Sequence, residues 1–131
     1  MKQFENLTKV FKSLEKKING IKFINLSSID GFSICSYKYD ESFKIEDEKL
    51  SAVTSSIAAL SIATSEQIIG SEFSSTIIET ENGTIILVKT QIQNKECILS
   101  LVIGTGHIIG SVRFYANKLA KIIKNSNLPA D

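Results

Sequence analysis

LSAVTSSIAALSIATS, residues 50–65, carries no charged side chain, although 22% of the whole chain is Asp, Glu, Lys or Arg. Seven of its sixteen residues are Ser or Thr, and the rest are Leu, Ile, Val and Ala. Read as a helix, it has three stripes. Leu50, Val53, Ile57, Leu60 and Thr64 are spaced for packing on a sheet. Ala52, Ser56, Ala59 and Ala63 are uniformly small, and Ser55, Ala58, Ile62, Ser65 and Ile69 are mixed. A surface helix normally turns Lys and Glu outward, so a helix without them needs cover on more than one side. The economical cover is a second copy of the same helix about a twofold axis. The alternative is a central helix enclosed by the chain's own loops. A membrane or lipid groove fits less well, for it needs larger apolar residues on one face and a basic rim.

The flanks place this helix in a longer pattern. Glu46, Asp47 and Glu48 suit a helix N-terminus, and Gly70 ends the run near Ile69. Upstream, Phe4, Leu7, Phe11, Leu14 and Ile18 make an amphipathic stripe over about 2–18, closed by Asn19-Gly20. IKFINLSS and FSICSY, separated by Asp30-Gly31, read as a strand pair. Downstream, EFSSTIIET, TIILVKTQ and ECILSLVI are strand-like runs separated by Glu81-Asn82-Gly83 and Gln93-Asn94-Lys95. GTGHIIG leads into a last helix with Val112, Tyr115, Ala116, Leu119, Ile122 and Ile123 on one face. The order α-β-β-α-β-β-β-α, with short turns between neighbouring strands, predicts an α+β fold: a central antiparallel five-stranded sheet with helices on both faces. Residues 1–125 form one expected domain and 126–131 a flexible tail.

Composition narrows the function. Fifteen Lys and Arg nearly balance fourteen Asp and Glu, and Arg113 is the only Arg. Arg-dependent base or phosphate reading is therefore disfavoured, and no nucleic-acid partner is expected. No secretion signal is legible, and residues 50–65 fall short of the roughly 20 residues of a membrane span, so no membrane insertion is expected and the location is read as cytoplasmic. Cys35 and Cys97 cannot define a disulfide framework and read as small buried hydrophobes.

The order of elements, INLSSIDGFSICS, IEDEKLSAVTSSIAAL, IIETENGTIILV and IIGSVRFYANKLAKII together resemble the roadblock/dynein light chain family, over about residues 20–124. The resemblance implies a homodimer, or a heterodimer with another roadblock-like protein, without chemistry of its own. It implies that two central helices pack together and two edge strands, here around 73–80, join into one continuous sheet. The dimer contact is then expected at Ala52, Ser55, Ser56, Ala59, Ile62 and Ala63 on the helix and at Phe73, Ser75, Ile77 and Glu79 on the strand. Members of that family commonly regulate or scaffold small Ras-like GTPases, a bacterial polarity regulator among them as a GTPase activator; others serve signalling scaffolds or motor complexes.

Other candidate chemistry is weak. GTGHIIG (104–110) lacks the Lys-Ser/Thr of a phosphate loop and the spacing of a dinucleotide loop; its glycines read as turn and packing residues. His107 is the only His, without partners for a triad or a zinc site. No catalytic residue, metal or cofactor is expected. Asp30 reads as turn chemistry, and Arg113, in the first turns of a helix, as a poor arginine finger. The lysines of helix one read as a solvated face. Three functions follow: a regulator that binds a small Ras-like GTPase, a nucleotide-independent dimerisation scaffold, and a small-ligand sensor with an apolar cavity.

Overall fold

The computed structural model describes residues 2–107 and 109–126, the side chains of residues 2–4 excepted. The side chain of Phe4, first in the expected N-terminal stripe, and residues 127–131 of the expected tail lie outside that description. The elements are α1 (Lys2–Ser13), continued by a 3-10 turn (Leu14–Lys16), β1 (Ile21–Ser28), β2 (Ser33–Lys38), α2 (Asp47–Thr64), continued by a π-type turn (Ser65–Ile69), β3 (Ser75–Thr80), β4 (Gly83–Ile92), β5 (Lys95–Ile103) and α3 (Ile109–Asn125). The strands lie in the order β2-β1-β5-β4-β3, every neighbouring pair antiparallel. The expected α+β architecture is the one observed.

Alternation along the strands sorts residues into two layers. Ile24, Leu26, Ile86, Val88, Leu99 and Leu101 face α1 and α3, where Leu7, Phe11, Leu14, Ile18, Val112, Ala116, Leu119 and Ile123 complete the larger core. Each fully buried Leu, Ile or Phe there stabilises the fold by roughly 1.5–3 kcal/mol relative to exposure. On the opposite face Leu87 and Ile98 meet Ala58 of α2 and Phe73. β1 and β5 are therefore buried on both sides along most of their length, with Asn25, Ser27 and Ser100 as buried polar residues on the α2 side. Within α3 one predicted core residue differs: Ile122 is exposed, and Ala120 is buried.

Turn chemistry closes the hairpins. Gln93 and Asn94 both adopt positive φ (49° and 66°), the signature of a two-residue turn matched to sheet twist. Gly70 (φ 75°) stops α2 in the left-handed conformation, and its N–H donates to the Ser65 carbonyl at 2.9 Å.

Candidate protein–protein interface

α2 crosses the sheet from one edge to the other, and its contacts trace the path. Asp47 accepts from the Ser36 hydroxyl on β2 at 2.7 Å, and Ser51 donates to Asn25 on β1 at 3.2 Å. Ala58 is fully buried against the β4–β5 pair, and Ser61 meets the Thr76 hydroxyl on β3 at 2.6 Å. The side chains facing the sheet are thus Leu50, Ser51, Thr54 and Ala58, mostly small, over strand residues Asn25, Ser27, Leu87, Ile98 and Ser100.

That phase corrects the sequence reading. Val53 and Leu60, expected on the sheet, are 51% and 71% exposed, and Thr64 is exposed as well. Bulky Phe73, Leu87 and Ile98 fill the space above the strands around the small Ala58, with Ile57 and Ile62 packed at the margin of that cluster. Val53 and Leu60 are left on the outside. The small stripe lies outside as expected: Ala52, Ser56 and Ala59 are exposed and Ala63 half-buried, with Ser55 and Ile62 half-buried at its margin.

The hydroxyls on this helix do not make its outer face polar. Ser55 and Ser56 donate to the Ala52 carbonyl at 3.0 and 3.1 Å, and Thr64 donates to the Leu60 carbonyl at 2.7 Å. Each proton is committed to its own helix, so what remains toward solvent is largely methyl and methylene surface. Asp30-Gly31 packs alongside. A Cβ on Gly31 (φ 97°) would sit 3.0 Å from Ser55 Oγ, so glycine permits both the turn and the contact; Phe32 beside it is exposed. At the far end Ile68 and Ile69 are also exposed. The whole helix spans Asp47–Ile69, 23 residues, and is long and apolar enough by length and composition to cross a membrane, contrary to the shorter estimate from residues 50–65. In this fold it lies across the sheet.

β3 forms the neighbouring edge. It pairs with β4 from Ser75↔Val88 to Thr80↔Gly83, and its other side has no strand beside it among the described residues. Ser75 and Ile77 are half-buried on the α3 side, Glu79 is exposed, and Ile78 faces the α2 side at the sheet margin. Phe73 is a correction: it precedes the strand, is only 6% exposed, and is consumed in the core beneath α2. A hollow of about 320 Å³ lined by Leu60, Phe73 and Thr76 separates α2 from β3. A second apolar hollow, also about 320 Å³, lies between Phe43, Ile45, Leu50, Ile78 and Ile85. On the other face Ile77, Glu79, Ile109 and Arg113 border a groove of about 500 Å³.

Residues considered for chemistry have structural positions. His107 Nδ1 lies 2.9 Å from the Gly104 carbonyl oxygen. Gly104 N–H donates to the Gly20 carbonyl at 2.8 Å, and a Cβ at Gly104 would approach Lys22 Cε to 2.8 Å, so this glycine serves close packing. Asp30 is exposed in its turn, Arg113 is exposed on α3, and Cys97 is buried with Cys35 half-buried. Burial pushes both thiols above their ordinary pKa, away from the reactive thiolate form. No cluster of three metal-ligating side chains occurs among the described residues.

The profile of the Roadblock/LC7 domain matches residues 9–98. No curated protein sequence matches the chain significantly. Among solved structures, one described as MglB with tetrameric arrangement superposes with a TM-score of 0.80 at 16% identity, covering 93% of this chain and 88% of that one. Gliding protein MglB from Thermus thermophilus gives 0.76 at 16% identity, over 95% and 93% of the two chains. Myxococcus xanthus MglB gives 0.75 at 19% identity, over 90% and 91%. At these identities the likeness is one of fold.

Proposed function

The chain belongs to the Roadblock/LC7 domain family, and from that premise we propose that it works as a dimeric, non-catalytic regulatory and scaffold module that binds and modulates a small Ras-like GTPase in the cytoplasm. The observation that carries the dimer is the coincidence of two incomplete surfaces on one side of the molecule. The uncharged outer face of α2 ends at the β3 edge, where Ser61 meets Thr76. Residues 61–69 then run on roughly 12 Å at the rise of a helix. One twofold contact pairs β3 with its mate and seats each α2 against the other. Ala52, Ser56 and Ala59 allow close backbone approach there, Val53 and Leu60 contribute apolar area, and Ser75, Ile77 and Glu79 lie along the joined strands. Phe73 supports this contact from within.

The GTPase partner is what the family resemblance implies. Regulation then proceeds by stabilising one conformation of the partner's switch loops, for Arg113, the one arginine, sits within the first turns of α3 and not on a loop. A scaffold indifferent to nucleotide is the second reading. Affinity capture from lysate of the source cells, run in parallel with a non-hydrolysable GTP analogue and with GDP, separates them. Recovery of a small GTPase mainly in the GTP state supports regulation; partners recovered equally in both states support the scaffold.

A further inference from the structure

The near-zero net charge conceals a sharp division. Spans 5–17 and 109–125, in the α1 and α3 layer, contain eight Lys or Arg and two Glu; the rest of the chain contains seven Lys or Arg and twelve Asp or Glu. These two spans are thus net +6 and the remainder of the chain, Lys2 included, net −5. The positive charge is also oriented. The buried stripe of α1 is Leu7, Phe11 and Leu14, which leaves Lys9, Lys12 and Lys16 exposed on the opposite side. On α3 the buried stripe of Val112, Ala116, Leu119 and Ile123 leaves Phe114, Lys118 and Lys121 outward. α3 contains no acidic residue.

An apolar ring stands among these cations. Phe114 is 59% exposed, with Lys118 Nζ 6.0 Å from its ring centroid. Lys17 Nζ, just past the 3-10 turn that continues α1, lies 6.0 Å from the Tyr115 ring of α3, next to Phe114. We propose that the outer face of α1 and α3 docks on an anionic lipid bilayer. The basis is charge complementarity together with a protruding aromatic: lysines attract acidic headgroups while an interfacial ring enters the headgroup region. The cations here are mostly Lys, compact point charges suited to a diffuse anionic surface; Arg would suit a bidentate carboxylate partner better. The acidic first turn of α2, Asp47 and Glu48, lies across the sheet from this face.

This proposal gains from the dimer reading and rests on it for its strength. An antiparallel β3–β3 contact has its twofold axis perpendicular to the sheet, which brings both α1/α3 layers to the same side. The two basic faces then meet one membrane together, and the second engagement becomes intramolecular. The chain lies on the bilayer and does not span it.

The test is co-sedimentation of the full chain with vesicles of pure phosphatidylcholine and with vesicles in which about a third of the lipid is phosphatidylserine, a composition that supplies a negative surface potential. Binding to the second alone, lost on raising salt, is the expected result. Lys118→Glu with Lys121→Glu is expected to weaken it at least about tenfold and Phe114→Ala several-fold, with circular dichroism unchanged. No binding to the anionic vesicles, equal binding to both, or full binding by the charge-reversed variant overturns the proposal. So does preferential capture by immobilised polyglutamate, which would assign the face to an acidic protein. Light scattering on the same samples separates the two readings. A monomer that binds anionic vesicles keeps the lipid surface and overturns the dimer; a dimer that ignores them does the reverse.

Discussion

Tyr39 shows how a single side chain closes the larger core. It follows β2, and its phenol donates to the Phe11 carbonyl while its ring stands edge-on to Tyr37 at 4.8 Å. Burial, with Tyr37 and Glu15 nearby, pushes its pKa above the ordinary phenol range, so it remains a donor throughout physiological pH. Tyr39→Phe preserves the ring and leaves Phe11 without that donor. The expected loss is about 1 kcal/mol, read from urea unfolding. The next residue carries a different kind of bond. Asp40 accepts from Lys22 Nζ at 2.8 Å and from Ser42, which hold its carboxyl well below the usual range. A depressed folded pKa contributes stability above the unfolded value of about 3.9, and that contribution is lost as pH falls below it. Both groups are partly exposed, so the effect is small. Asp40→Asn is expected to flatten the acid limb of the stability–pH curve and to leave unchanged the pH dependence above neutrality.

At the scale of elements, the sequence was legible wherever hydrophobicity has a clear period. α1 and α3 have a polar side and an apolar side, and their burial follows the predicted stripes save for Ile122 and Ala120. Strand existence and pairing were likewise readable from Asp30-Gly31, Asn82-Gly83 and Gln93-Asn94. α2 had no such period. Apolar or hydroxylated residues surround it on every side, so the wheel offered no reason to turn Val53 and Leu60 outward. The deciding factor was the shape of the strands beneath, with Phe73 and Ile98 occupying the volume, and that is not written in the helix. Ala58 and Ala59 make the resulting asymmetry testable. Ala58 is 0% exposed, and Ala58→Leu is expected to cost about 1–3 kcal/mol by overpacking. Ala59→Leu lies on the exposed face and is expected to change monomer stability by less than about 0.5 kcal/mol. Paired denaturation curves, taken at concentrations where the chain is monomeric, check the contrast.

At the scale of the whole molecule, three surfaces stand apart: the helix face of residues 50–65, uncharged in sequence, an open strand edge beside it, and a basic helical layer on the opposite side of the sheet. The first was anticipated from the missing charge in residues 50–65 and the second only from the family resemblance, although Phe73 belongs to the interior. Charge partition between layers was hidden because a net charge of +1 averages over both. If the α2 face is a twofold contact, a residue near its centre meets its own mate, and any charge placed there is buried against the same charge. Ala59 is exposed in the monomer and sits in the small stripe between Ser56 and Ala63. Ala59→Glu should therefore leave the isolated fold intact, since its side chain points away from the sheet. It should dissociate the dimer, because two carboxylates in one desolvated contact repel and neither finds a counterion. Breaking such a contact commonly costs several kcal/mol, enough to shift a micromolar dimer wholly to monomer. Multi-angle light scattering should record twice the 14.4 kDa chain mass for the parent protein and the single mass for the variant. Circular dichroism should superpose for the two. A variant that keeps the doubled mass would place the association on another surface, and the open β3 edge, without α2, would then have to supply it.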